Sequence, residues 1–148
     1  MRNIPCYFFL EILKKRVKTK INLRKHLIYV LLATVCDVMP IRKLNRLIAI
    51  NTLKEFDLNK CAILKRLYEI TNIKKKINID DLSFLVGPIL NAGGRLGKSS
   101  YAVELLSSNN KEEIDHKLFE LIELNNKRKK IETNILNNIN YEKINKEN

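Results

Sequence analysis

Gly87-Pro88-Ile89-Leu90-Asn91-Ala92-Gly93-Gly94-Arg95-Leu96-Gly97-Lys98-Ser99-Ser100 is the stretch on which the reading of this chain turns. It holds all four glycines of the sequence, with a proline, two cations and two hydroxyls, while its surroundings read as helix. Glycines let the backbone take positive φ and approach a ligand closely, because no Cβ interferes. Successive amide N–H groups in such a turn can form a concave anion site, to which a following helix N-terminus adds. Asn91, Gly93, Gly94, Arg95 and Lys98 are therefore the candidate phosphate-binding residues. Two other readings fit the same residue types. Gly and Ser between helices also make plain tight connections, with Arg and Lys solvated. Ala92 to Ser99 also fits a loosened nucleotide-loop pattern, with Ala for the first Gly. A P-loop-like nucleotide binder needs a buried strand entering the loop and a later strand ending in Asp. Here Pro88 stands just before the loop, where a central strand tolerates it poorly, and no strand pattern follows Ser99.

Outward from this stretch, helix periodicity dominates and the fold class reads as mainly α. Ile4 to Val17 is apolar and then basic. Arg24 to Val38 is a buried helix or a strand, since so apolar a run lacks a deciding period, and Pro40 ends it. Asn45 to Phe56 and Asn59 to Thr71 read as amphipathic helices, the second with Asn59 as N-cap. Lys74 to Lys76 is a basic connector, and Asp80 to Leu90 a helix entering the glycine loop. Ser99 or Ser100 caps a short helix to Leu106. From Asn110, with Glu113 three residues on, one long helix begins. Ile114, Leu118, Leu121, Asn125, Arg128, Ile131, Ile135 and Ile139 form its stripe, and Asn140 to Asn148 reads as a fraying tail. The interrupted stripe suits a helix joining two lobes better than a coiled coil.

Composition bounds the function. The chain has 148 residues, a 45% hydrophobic fraction and a net charge of +12. That is room for one modest core or part of a larger one, and too apolar for disorder along most of its length. The charge favours a polyanionic partner, part of it owing to a Lys-, Asn- and Ile-rich composition of the kind AT-rich coding produces. Cys6, Cys36 and Cys61 show no zinc spacing and read as buried free thiols in a reducing, cytoplasmic compartment. Leu27 to Met39 is well short of a membrane span and contains Asp37, and no export signal precedes it.

Asp37, ending an apolar segment, is the candidate buried carboxylate, with capping or pairing to Arg42 or Arg46 as its other reading. Metal-pair hydrolysis needs several carboxylates and imidazoles around ions ~3.5–4 Å apart. Asp115-His116 lies on the exposed side of the long helix, and no Ser/His/Asp or Cys/His arrangement presents itself. The residues by themselves do not make a complete active site.

The glycine-rich stretch does carry a resemblance. Gly87 to Gly97 resembles the G-P-R-L/I-N-A-A-G-R-L-G signature of RecJ-type single-stranded-DNA-specific exonucleases, of the DHH phosphoesterase superfamily. Ala102 to Leu106 and Glu123 to Glu132 continue in the family's order. Leu32-Ala33-Thr34-Val35-Cys36-Asp37-Val38-Met39-Pro40 resembles its A-L-G-T-V-A-D-V-V-P segment, with Asn45-Arg46 matching a downstream N-R. Together these blocks run from about Ile4 to the late 130s. The resemblance implies the C-terminal part of an α/β DHH catalytic lobe over residues 1–108, then a long connector helix over 109–148. It implies 5′-to-3′ digestion of single-stranded DNA with a Mn²⁺ or Mg²⁺ pair, Asp37 as metal ligand, and Asn91 and Arg95 on the nucleic-acid backbone. The departures are Ile89 for the family's Arg, Gly93 for Ala, and Leu44 for an acidic residue. The family's aspartate and Asp-His-His motifs precede anything present here, and its second lobe follows. The expectation is an internal piece of such an exonuclease, catalytically incomplete alone and poorly soluble where partner faces are missing. The alternatives are a basic helical module that binds nucleic acid without cutting it, and a chain that complements a separately encoded N-terminal half.

Overall fold

A computed structural model describes the backbone of residues 3–138 and the side chains of residues 4–136; the proposed tail and Ile139 lie outside the described residues. Among the described residues there is no strand. The helices are α1 (Asn3–Val17), α2 (Leu27–Cys36), α3 (Lys43–Glu55), α4 (Ala62–Ile70), α5 (Ile79–Asp81), α6 (Gly87–Arg95), α7 (Ser100–Ser107) and α8 (Lys111–Asn138). Short 3₁₀ turns at Leu23–His26 and Leu58–Lys60 precede α2 and α4, and a π-helical turn at Leu82–Val86 joins α5 to α6. The chain divides into two compact units, the first ending at Pro88 and the second beginning at Ile89.

In the first unit, α2 packs on α1, α3 and the π turn, which settles Leu27–Cys36 as helix. Ile28, Leu31, Leu67, Leu82 and Val86 are fully buried there. The π turn has a local cause. Pro88 has no N–H to give the carbonyl four residues back, and its ring crowds that carbonyl. The wide turn absorbs the mismatch, with the Gly87 N–H bonded to the Leu82 carbonyl. A Cβ on Gly87 would stand 2.7 Å from Cys36 Sγ, so this glycine serves the close passage of α2.

A capping box starts α5: the Asp81 N–H donates to Asn78 Oδ1 at 2.9 Å, and the Asn78 N–H donates to Asp81 Oδ2 at 3.1 Å. Buried Asp81 also accepts from the Tyr68 hydroxyl at 2.8 Å and pairs with Lys75 at 2.8 Å. Lys75, read from sequence as part of a basic connector, thus has a structural partner. Burial alone would raise the Asp81 pKa, yet Lys75, Tyr68 and the Asn78 N–H together hold it below its ordinary value. Burial, then the neighbouring carboxylate, pushes the Tyr68 hydroxyl up.

Three expectations need correction. Helix α4 starts at Ala62, and Asn59 does not cap it; the Asp57 carboxylate accepts from the Asn59 N–H at 3.0 Å and closes the preceding 3₁₀ turn. Cys61 is buried but Cys6 is exposed. Asp37 is exposed at the C-terminal end of α2, not buried. On α1, Phe8, Phe9, Leu10 and Ile12 are exposed as well.

In the second unit, α7 packs on α8 and the buried side chains include Ile89, Ala92, Leu105, Ile114, Leu118 and Leu121. The α8 stripe is buried through Asn125, whereas Ile131 and Ile135 are exposed. Asn110 caps α8 by accepting from the Glu112 N–H at 2.9 Å. Glu113 turns to the Ser108 hydroxyl at 2.7 Å instead of completing a box with Asn110.

Candidate nucleic-acid interface

The glycine-rich stretch is mostly helix. Residues Gly87 to Arg95 form α6, and only Leu96 to Ser99 make the turn into α7. Helix α6 ends in a Schellman motif, in which a left-handed residue just past the helix lets the next N–H reach back to the last turn. Gly97 is that residue, at φ +78, and the Lys98 N–H donates to the Gly93 carbonyl at 2.7 Å. Among the described residues it is the only glycine with positive φ.

The candidate residues therefore separate. Gly93 is buried, and a Cβ there would stand 2.6 Å from the Lys98 carbonyl oxygen and 3.2 Å from Leu121 Cδ2. Its smallness serves the fold-back of the turn and not the approach of a ligand. Gly94 is exposed, helical, and faces open space. Asn91, Arg95 and Lys98 are all exposed. Arg95 sits in the last turn of α6, where a cation complements the helix dipole. The strand–loop–helix path of a nucleotide loop is not formed at Ala92 to Ser99, since Ala92 to Arg95 are helical.

Around this turn the second unit gathers further cations that sequence reading left out of the site. Lys98 Nζ and Lys117 Nζ lie 4.8 and 4.3 Å from the centre of the Tyr101 ring. Lys117 is also paired with Glu104. That hydrogen bond raises the Lys117 pKa, and together with Ser100 it lowers that of Glu104. Glu132 Oε1 stands 3.2 Å from Arg128 Nη1 and 3.9 Å from Arg95 Nη1. Arg128 Nε and Asn125 Oδ1 are buried with no hydrogen-bond partner among the described residues. The i, i+4 spacing of Arg128 and Glu132 was the available signal for that pair; the approach of Arg95 is a tertiary fact.

In the first unit, Asp37 lines a cleft of about 390 Å³ with Thr34, Met39, Pro40 and Asn45 among its neighbours. The Asn45 side-chain N–H donates to the Pro40 carbonyl at 2.8 Å, pinning the turn after Asp37. That turn is another Schellman end: the Met39 N–H donates to the Thr34 carbonyl at 3.1 Å, with Val38 at φ 53. No ion pair joins Asp37 to Arg42 or Arg46 among the described residues. Nor does any group of three or more His, Cys, Asp or Glu side chains there make a metal site, so the described residues do not fit a divalent-cation pair. No described helix is long and apolar enough to cross a membrane.

Comparison with known proteins places these observations in a family context. No family model matches the chain. The chain is similar to the single-stranded-DNA-specific exonuclease RecJ of Haemophilus influenzae, with 35% identity over 117 residues, 78% of this chain and 20% of that protein. It is 39% identical to RecJ of Escherichia coli over 113 residues, 75% of this chain and again 20% of the relative. Its fold matches crystal structures of RecJ from Thermus thermophilus in complex with Mg²⁺ and with Mn²⁺, at TM-scores of 0.74 and 0.75 and 24% identity. Those matches cover 84% and 86% of this chain and 20% and 19% of the crystallised chains. The chain thus spans about one fifth of the length of the curated relatives it matches.

Proposed function

We propose that this chain, similar over three-quarters of its length to one fifth of RecJ, supplies a nucleic-acid-binding segment of a 5′-to-3′ single-stranded-DNA exonuclease of recombination and repair. Residues 1–108 correspond in this reading to the C-terminal part of a DHH-type catalytic lobe and residues 109–148 to the connector helix. The observation that carries it is the 39% identity to RecJ over 113 residues, joined to exposed Asn91, Arg95 and Lys98 at the α6 turn. A polynucleotide backbone is held by such groups through charge and hydrogen bonds, with counterion release making affinity salt-dependent.

Catalysis in this reading needs more than the described residues hold. Mn²⁺ or Mg²⁺ would supply the charge that a phosphodiester cleavage requires, with Asp37 as one of its ligands. The remaining ligands come from polypeptide outside the described residues, such as a separately encoded half. The same reading implies a cytoplasmic location. A second reading, a basic helical module that binds without cutting, is favoured by the net charge of +12.

Degradation of 3′-labelled single-stranded DNA in Mn²⁺, by wild type and Asp37→Ala, tests the proposal. Binding without cleavage by either protein is expected. Cleavage by the 148-residue chain that survives Asp37→Ala would overturn the role given to Asp37.

A further inference from the structure

We propose that Glu132 occupies, in the free protein, the place that a phosphate group takes between Arg128 and Arg95, so that binding displaces a built-in carboxylate. This rests on the reading of the second unit as a polynucleotide-binding surface.

The geometry of the three side chains carries the inference. One carboxylate oxygen, Glu132 Oε1, serves both guanidinium groups, at hydrogen-bonding distance from Arg128 and only ion-pair distance from Arg95. A guanidinium presents its N–H groups as a planar fork suited to two parallel bonds with carboxylate or phosphate. Here Glu132 meets Arg128 through Nη1 alone, and Nε, on the opposite edge of the guanidinium, is buried with no partner among the described residues. A buried, unpaired donor is costly, and costlier on a charged group. Glu132 therefore meets the charge of the site without filling its donors. A phosphate, with several oxygens in tetrahedral array, can take the end-on fork of Nη1 and Nη2 of Arg128 and still turn an oxygen to Arg95.

The exposures point the same way. The Arg128 side chain is only 18% exposed, whereas that of Glu132 is 52% exposed and has a path into solvent. The cation is the fixed partner and the carboxylate the replaceable one. Asn125 lies on the same helix face, one turn before Arg128. Its Oδ1 is likewise buried with no partner among the described residues. The ligand class is a phosphate group, from a polynucleotide backbone or as free inorganic phosphate.

Fluorescence anisotropy of a 3′-labelled oligo-dT with the full chain tests this, using Glu132→Gln, Arg128→Lys and Arg95→Ala. Glu123→Gln, which removes the charge of an exposed carboxylate elsewhere on α8, controls for net charge. Glu132→Gln is expected to bind about fivefold more tightly than Glu123→Gln, and Arg128→Lys about fivefold more weakly than wild type. Glu132→Gln binding no better than Glu123→Gln, or worse than wild type, would overturn the inference and leave Glu132 as a brace for the arginines. If no variant binds oligo-dT, the proposed function fails, and thermal stabilisation by inorganic phosphate decides the inference. Greater stabilisation of Glu132→Gln than of wild type supports a phosphate site, and equal or smaller stabilisation removes it. Circular dichroism melting of every variant confirms that the fold is retained.

Discussion

The Lys98 backbone N–H donates to the Gly93 carbonyl at 2.7 Å, and the same fold-back leaves no room for a side chain on Gly93. The turn that carries Arg95 and Lys98 is thereby fixed by two glycines with different tasks. Gly93 gives space, and Gly97 gives a left-handed backbone.

These tasks separate on substitution. Ala at position 93 would set a Cβ 2.6 Å from a backbone oxygen, which cannot rotate aside. Gly93→Ala is expected to destabilise by about 1–3 kcal/mol despite Ala's better helix propensity, as overpacking does. Gly97→Ala meets open space and loses only the backbone freedom at φ +78, about 1 kcal/mol. Urea titration of both variants checks the order: the buried position should cost more.

Val38 makes the opposite case. It holds the left-handed position after α2 at φ 53, although it is β-branched and 88% exposed. Such a conformation costs about 1–2 kcal/mol in a residue with a branched Cβ. Val38→Gly removes that cost with little packing lost, so a gain of about 0.5–1 kcal/mol in urea-unfolding free energy is expected, the greater entropy of unfolded Gly taking part of it. A loss of stability would contradict the strained turn beside Asp37.

Acid should loosen the first unit through Asp81. Its carboxylate is held below the ordinary value of 3.8, so the folded state binds that proton less readily than the unfolded chain. The stabilisation is then fully present above that ordinary value and is lost as pH falls through the depressed folded value. Asp81→Asn should flatten this acid limb in thermal melts between pH 2 and 6. Tyr68→Phe, which removes one hydrogen bond to the carboxylate, should cost about 1–2 kcal/mol near neutral pH.

Much of this fold was legible in the sequence because helix periodicity reports which face is buried. Ile114, Leu118 and Leu121 are buried as their spacing requires. The helix ends were less so. Four helices close through a left-handed residue and the same reach-back bond, from Thr19 to Lys14, Met39 to Thr34, Ile73 to Tyr68, and Lys98 to Gly93. The left-handed residues are Lys18, Val38, Asn72 and Gly97, so only the last carries the glycine that announces the motif. The glycine cluster itself suggested a loop, and most of it is helix, since Gly87 and Gly93 are small for packing. Neighbours decide that kind of glycine, and a local sequence window does not contain them. At the candidate site, Arg95 and Lys98 were legible as cations beside a turn. Arg128 and Glu132 were not, because the closure of α6 on α8 within the second unit brings them to Arg95.

The most direct measurement is oligo-dT binding across a salt series, for wild type, Arg95→Ala and Lys14→Ala. Lys14, in the last turn of α1, carries the same charge on the first unit. Affinity should fall steeply with salt for wild type, with Arg95→Ala at least about fivefold weaker and Lys14→Ala changed by less than about twofold. Equal losses from the two substitutions, or no binding by wild type, would contradict a nucleic-acid interface built on the α6 turn.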